Sequence, residues 1–167
     1  MTRPASQPPL DLAPLLAPRS VAIIGASADP ATIGGRPLAN LRRFGYTGQI
    51  HLVSRSNDEI DGIACVRSAS ALPHGIDVAL FVIPQSSVEA VLEECIGRGV
   101  RSIVLFSAGF AETGPQGAQL QERIAARARQ AGIALCGPNG LGLVNHRAAT
   151  PLTFGWSEPA PLQDKPA

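Results

Sequence analysis

Aromatic side chains are scarce in this chain: one Trp, one Tyr and five Phe among 167 residues, 4% in all. So few flat rings exclude a base-stacking platform for single-stranded nucleic acid. A formal net charge of +1, with no long run of Lys or Arg, excludes the basic footprint of a duplex binder. Charge of either sign is thin at 16% of residues, against about a quarter in ordinary domains, which points to surface covered by another domain or subunit. Cysteines number three, Cys65, Cys95 and Cys136. The odd count fits no disulfide framework and the spacing fits no zinc site, so they read as small buried hydrophobes in a reducing compartment. No apolar stretch approaches the ~18 residues that span a bilayer. The N-terminus carries Pro4, Pro8 and Pro9 without an apolar core and is no secretory signal. These absences predict a cytoplasmic protein with neither membrane nor nucleic-acid partners, long enough for one compact domain.

What is present is alternation. Val21–Ile24, Ile50–Val53, Val78–Ile83, Ile103–Phe106 and Ile133–Cys136 read as strands, and their unbroken apolar runs suit strands buried on both faces. Between them lie helical periods. From Ser87 to Arg98, Val88, Val91, Leu92, Cys95 and Ile96 form one stripe, with Ser86 as N-cap and Glu89 completing a capping box. Pro37–Phe44 and Gln116–Gln130 are the other clear helices, and Arg123, Arg127 and Arg129 of the latter read as a solvated face. A short helix over Leu10–Leu16 is expected to pack Leu12, Leu15 and Leu16. Alternating elements with short connections imply right-handed βαβ units, hence an α/β fold, a Rossmann-like doubly wound parallel sheet in a single domain. Residues 1–14 are expected to be a flexible segment, 15–150 the domain and 151–167 a Pro-rich linker or tail. From Ala148 on, the chain reads as leaving the core, with Phe154 and Trp156 either packing back or meeting something else.

In such a fold the ligand sits beyond the carboxyl ends of the strands. Those ends carry Gly25-Ala26-Ser27, Ser54-Arg55-Ser56, Pro84-Gln85-Ser86-Ser87, Ser107-Ala108-Gly109-Phe110-Ala111-Glu112 and Gly137-Pro138-Asn139-Gly140. Small and hydroxyl-bearing residues at every end predict an open, hydrogen-bonding rim. The first of these loops, followed by Gly34-Gly35 and a helix, predicts backbone N–H groups and a positive helix end facing a phosphate. Its glycines do not follow G-x-G-x-x-G, and an acidic residue to hold ribose hydroxyls is missing after the second strand. Arg55 stands there between two serines, a setting that suits a phosphate on the ribose, as in NADP or coenzyme A.

The series P-R-S-V-A-I-I-G-A-S (Pro18–Ser27), I-G-G-R-P-L-A-N-L (Ile33–Leu41), F-G-Y-T-G-Q-I (Phe44–Ile50), S-A-G-F-A-E (Ser107–Glu112) and G-P-N-G-L-G (Gly137–Gly142) resembles the coenzyme A-binding domain of NDP-forming acyl-CoA synthetases. That group includes ADP-forming acetyl-CoA synthetases and, more distantly, the succinyl-CoA synthetase alpha subunit. The resemblance runs from about Leu15 to Phe154 and implies coenzyme A, or an acyl-CoA, as ligand. By position it implies that Gly25, Ala26, Ser27, Ile33 and Gly34 hold phosphates and pantetheine. Ser54, Arg55 and Ser56 would lie near the 3′-phosphoadenosine, and Ile83 and Pro84 would border adenine. Ser107, Ala108, Gly109 and Glu112 would line the pantetheine path, with Pro138 and Asn139 near the thiol end. Three departures stand out. The family's V-N-P is Val53-Ser54-Arg55, so its proline is lost; a frequent lysine before the I-G pair is Thr32; and the cysteine of G-P-N-C is Gly140.

The resemblance also implies that the phosphorylated histidine and the ATP-grasp nucleotide site belong to further domains. His51, His74 and His146 are poor candidates for a phosphoryl relay, and no residue here is assigned a catalytic role. The leading expectation is therefore a CoA-binding module of an acid–thiol ligase, incomplete alone, that partners further domains or a subunit. A standalone CoA-responsive regulator and an NADP-binding oxidoreductase fragment are the alternatives. Gly25→Val is expected to abolish coenzyme binding by filling the space its backbone approach needs.

Overall fold

A computed structural model describes residues 10–155; the expectations for Met1–Pro9 and for Trp156 fall outside the described residues. The chain runs α1 (Ala13–Leu16), β1 (Ser20–Ile24), α2 (Arg36–Arg43), β2 (Gln49–Val53), β3 (Glu59–Ile60), β4 (Ile63–Val66), β5 (Val78–Phe81), α3 (Val88–Gly97), β6 (Ser102–Leu105), α4 (Pro115–Gln130), β7 (Ala134–Cys136), β8 (Gly142–Asn145) and β9 (Thr150–Thr153). Seven strands form one sheet in the order β3-β4-β2-β1-β5-β6-β7, and β8 and β9 form a separate two-stranded sheet. Every pairing within the large sheet is parallel except the β3/β4 hairpin. The fold is the doubly wound α/β sheet expected from the alternation.

The unbroken apolar runs do what two-sided burial requires. Val21 and Ile23 point into a layer with Leu38 and Leu41 of α2 and Leu152 of β9. Ala22 and Ile24 point the other way, into a layer with Leu92 of α3, Ile103 of β6 and Ile124 of α4. Helices α3 and α4 are joined across their outer faces by Arg123 to Glu89 (3.1 Å) and Arg127 to Glu93 (2.6 Å). The arginine face read as solvated is thus partly engaged in helix–helix ion pairs.

Several expectations are corrected. Helix α1 covers a single turn with Pro14 in its first turn, and only Leu15 of the three leucines is buried; Leu12 and Leu16 remain about half exposed. Proline forces this late start, because it fits only where its missing N–H has no helical partner. Helix α3 has no capping box: a 3₁₀ turn over Gln85–Ser87 leads into it, Ser87 is the N-cap without a side-chain bond, and Glu89 is drawn to Arg123 instead. Cys95 is fully buried, and that burial, with a smaller push from Glu94, raises its thiol to about 12. Cys65 and Cys136 are only half buried.

The largest correction concerns the chain after Ala148. Thr150–Thr153 is a strand buried at every position, and Leu152 is fully enclosed in the core. Buried Asn40 of α2 ties it down, donating through Nδ2 to the carbonyls of Thr153 (3.0 Å) and Gly155 (2.9 Å). The packed layer therefore continues to Gly155 rather than giving way to a linker at Ala148.

Candidate functional site

The strand order reverses direction between β1 and β5: the chain leaves β1 toward β2 on one side and returns to add β5 on the other. A sheet wound this way opens a crevice at the carboxyl ends of those two strands. Gly25 ends β1 there, beside Val82 and Ile83 beyond β5. Its φ is +92°, and a Cβ would stand 2.0 Å from the Val82 carbonyl oxygen. The first glycine is thus required by the backbone of the neighbouring strand. Gly34 closes the same corner, since a Cβ on it would lie 2.6 Å from the Gly25 carbonyl.

The amides of this first turn are not the free cradle expected from the sequence. Gly25 and Ala26 N–H both donate to the Val53 carbonyl at 3.0 Å, and Ser27 N–H donates to Gly34 at 3.3 Å. Within the loop, Asp29 organises the approach: its carboxylate accepts from Ala31 N–H (2.9 Å) and its carbonyl from the Thr32 hydroxyl (2.7 Å). The amides of Ile33 and Gly34 have no such backbone partner among the described residues. They precede α2, whose first turn holds no acidic side chain to offset the positive helix end. Arg36, the first residue of α2, has its Nε buried without a hydrogen-bond partner.

Two clefts meet at this corner, sharing Gly25 and Val82-Ile83-Pro84. The smaller, about 290 Å³, lies toward β2 and is bordered by Ala26, Ser54, Arg55, Ser56 and Arg67, with Val91 of α3 on its far side. Arg55 is exposed and makes no hydrogen bond or ion pair among the described residues, whereas Ser54 is buried and its Oγ accepts from the amide and side chain of Asn57 (3.3 and 3.0 Å). Of this serine-flanked pair, then, Ser54 shapes the turn and Arg55 is left with its donors open. The larger cleft, about 660 Å³, runs the other way past Ser27, Thr32, Ile33 and Gly34 to Ser107, Ala108 and Asn139, over Phe106 and Phe154. Those two rings meet edge to face at 5.1 Å, so Phe154 packs back on the domain from the end of β9.

Three expected residues line neither cleft. Pro138 stands beside Asn139 without reaching the space. Gly109 and Glu112 close a loop on themselves: Gly109 N–H donates to Glu112 Oε1 at 2.6 Å, and this bond holds the Glu112 carboxyl below the usual carboxylate range. Ser107 is turned into the rim, its hydroxyl donating to the Ile83 carbonyl and its own carbonyl accepting from Asn139 N–H at 3.0 Å. Sequence reasoning missed Arg67, Val91, Phe106 and Phe154. The Asp61-Gly62 dipeptide, a turn signal, would have exposed the β3/β4 hairpin that delivers Arg67.

The three histidines lie away from both clefts. His51 is half buried in β2, and burial lowers its pKa; His74 is exposed at the opposite edge of the sheet, and the His146 ring lies 5.8 Å from that of Phe44. A hollow of about 650 Å³ at that opposite edge borders Tyr46, His51 and Asp77. Its polar groups serve the fold: Asp77 accepts from Arg19 N–H (2.8 Å) and Arg101 (3.1 Å), and Tyr46, pushed up to about 12 by burial and by Asp77, donates to the Pro18 carbonyl.

The model of a CoA binding domain family matches residues 19–146, a span that contains both sides of the crevice. The chain belongs to that family. It is a CoA-binding domain homologous to the alpha subunit of ADP-forming acyl-CoA synthetases. It is 36% identical over 159 residues to subunit alpha of the ADP-forming acetate–CoA ligase I of Pyrococcus furiosus, covering 92% of this chain and 34% of that one. A trans-feruloyl-CoA synthase from an unidentified prokaryote is 39% identical over 140 residues, 84% of this chain and 20% of the synthase. Among solved structures, the dinucleotide-forming acetyl-coenzyme A synthetase 1 of Ca. Korarchaeum cryptofilum, in complex with phosphate and ADP, superposes with a TM-score of 0.81 at 34% identity. The match covers 87% of this chain and 31% of that one. The chain thus spans about a third or less of these relatives. The comparisons support neither a regulatory standalone protein nor an NADP-dependent oxidoreductase. No helix among the described residues is long and apolar enough to cross a membrane.

Proposed function

We propose that this domain presents coenzyme A to an acid–thiol ligase that forms acyl-CoA with release of ADP, and that it works with further domains or a subunit. Those would supply the phosphoryl-carrying histidine and the nucleotide site. The observation that carries the reading is the pair of clefts meeting at Gly25, one bordered by an unpartnered arginine and the other floored by apolar side chains. Coenzyme A has that same division, a phosphorylated adenosine joined through a diphosphate to a largely apolar arm.

The 3′-phosphoadenosine is assigned to the smaller cleft, with Arg55 and Ser56 toward the phosphate and Ala26, Ile83 and Pro84 against the base. Lys165 is the only lysine of the chain, so every other fixed cation that a phosphate can meet is an arginine. The diphosphate is assigned to the corner where the Ile33 and Gly34 amides and the start of α2 converge, beside Gly25 and Ser27. The pantetheine arm then follows Ser107 and Ala108 over Phe106 and Phe154, and the thiol or its acyl ester ends near Asn139 and Pro138. Glu112 and Gly109 support this path by fixing the loop after β6. The domain's own part is to bind and orient; the acyl transfer chemistry belongs to the rest of the ligase.

Titration calorimetry with coenzyme A, dephospho-CoA and NADPH tests this. Coenzyme A is expected to bind best, with dephospho-CoA weaker by about tenfold, the scale of one charge-assisted contact. Tighter binding of NADPH than of coenzyme A would overturn the proposal.

A further inference from the structure

Among the described residues, Arg67 is the charged side chain on the border of the smaller cleft, where Glu94 also lies, that bonds to the backbone of the loop bearing Arg55. Its Nη1 donates to the carbonyls of Ser54 (3.2 Å) and Asn57 (3.1 Å), one on each side of Arg55-Ser56, and its Nη2 pairs with Asp58. The loop is also tied internally, Asn57 Nδ2 donating to Ser54 Oγ (3.0 Å) and Ser56 Oγ (3.1 Å). Ser54 N–H donates to the Val66 carbonyl at 3.0 Å, so the strand that leads into Arg67 is itself bonded to the loop that Arg67 grips. A planar, permanently charged fork can fix two carbonyls at once, restraining a loop, Ser54-Arg55-Ser56-Asn57-Asp58, in which no proline limits φ. The side chain is 53% exposed, so its contribution to global stability is small and its effect is local.

We propose that Arg67 is a positioning residue: by gripping the loop on both sides it holds Arg55 over the cleft and thereby sets the domain's selectivity for a ribose phosphate. The inference rests on the assignment of the 3′-phosphoadenosine to this cleft. Arg67 has its Nη1 donors committed to the loop, while Arg55 has all of its donors open, so Arg55 makes the contact and Arg67 acts through it.

The test is the ratio of coenzyme A to dephospho-CoA affinity, measured at one ionic strength for the wild-type chain, Arg55→Ala, Arg67→Ala, Arg67→Lys and the Arg55→Ala/Arg67→Ala double variant. Arg67→Ala is expected to lower the ratio about fivefold, weakening coenzyme A more than dephospho-CoA, and to have no further effect on the ratio once Arg55 is gone. Arg67→Lys, which keeps the charge but loses the fork, is expected to recover less than half of the loss. Amide exchange at Ser56 and Asn57 is expected to speed up in Arg67→Ala and in the double variant but not in Arg55→Ala, and to read the loosened loop directly. An unchanged ratio in Arg67→Ala overturns the inference. So does full recovery with lysine, which would mean that charge suffices, or an equal loss in the Arg55→Ala background, which would make Arg67 a direct contact. Equal wild-type affinity for the two coenzymes would instead overturn the phosphate assignment on which the inference stands.

Discussion

Replacing Asn40 with alanine isolates what β9 does for the domain. Asn40 is 3% exposed and donates to two carbonyls, Thr153 at the end of β9 and Gly155 just beyond it, where the strand's other support is β8, the Thr153 hydroxyl bond to the Leu141 carbonyl and apolar packing. Two hydrogen bonds contribute about 1 kcal/mol each, and stranding their acceptors in a dry interface adds to the loss, giving about 2–3 kcal/mol. For a domain of this size that is a fall in Tm of roughly 5–10 °C, readable by urea and thermal unfolding. Because β9 leads into Phe154, which floors the larger cleft, loosening the strand also weakens the grip on an apolar arm. Coenzyme A is expected to bind about three- to tenfold more weakly to Asn40→Ala, while 3′,5′-ADP, which has no arm, keeps its affinity. A stability loss under about 0.5 kcal/mol, within the scatter of surface substitutions, would show that β9 is an appendage. Equal weakening of both ligands would show that the damage spreads beyond the larger cleft.

Gly25→Val is expected to prevent folding rather than only binding, because the new Cβ meets the Val82 carbonyl at 2.0 Å and φ is +92°; circular dichroism of the purified variant checks this, and a native spectrum with native Tm refutes it. The pH dependence of the loop after β6 follows from Glu112. Its carboxyl is depressed by the Gly109 N–H, so the stabilisation is full above the ordinary glutamate pKa and is lost as pH falls through the lowered folded value. The Gly109 amide resonance is expected to shift with a midpoint below that of a free glutamate and to lose the transition in Glu112→Gln.

What was legible in the sequence was whatever a strand must do on both faces. Val21–Ile24 and Val78–Phe81 are surrounded by apolar side chains above and below, and only unbroken apolar runs satisfy that. The two small hairpins were illegible for opposite reasons. Strand β3 has two residues, too few for a period, though its Asp61-Gly62 turn was a signal in plain sight. Strand β9 includes Pro151, which reads as a breaker; β9 tolerates it because it pairs on one side only, with β8. The rim residues were locatable because strand ends are, but their hydrogen bonds were not. Nothing local reveals that Val53 accepts from Gly25 and Ala26, since that contact joins segments about thirty residues apart. For the same reason Arg67 stayed hidden: its role depends on β4, a strand that the pattern did not disclose.

The sharing of one Val53 oxygen by two consecutive amides bears on kinetics. A turn fastened to its neighbour in this way is already in its final shape when a ligand arrives, so little chain entropy remains to be surrendered at that corner. A ligand that docks at this corner is expected to associate fast and to show a heat-capacity change that tracks the apolar area covered rather than the ordering of peptide.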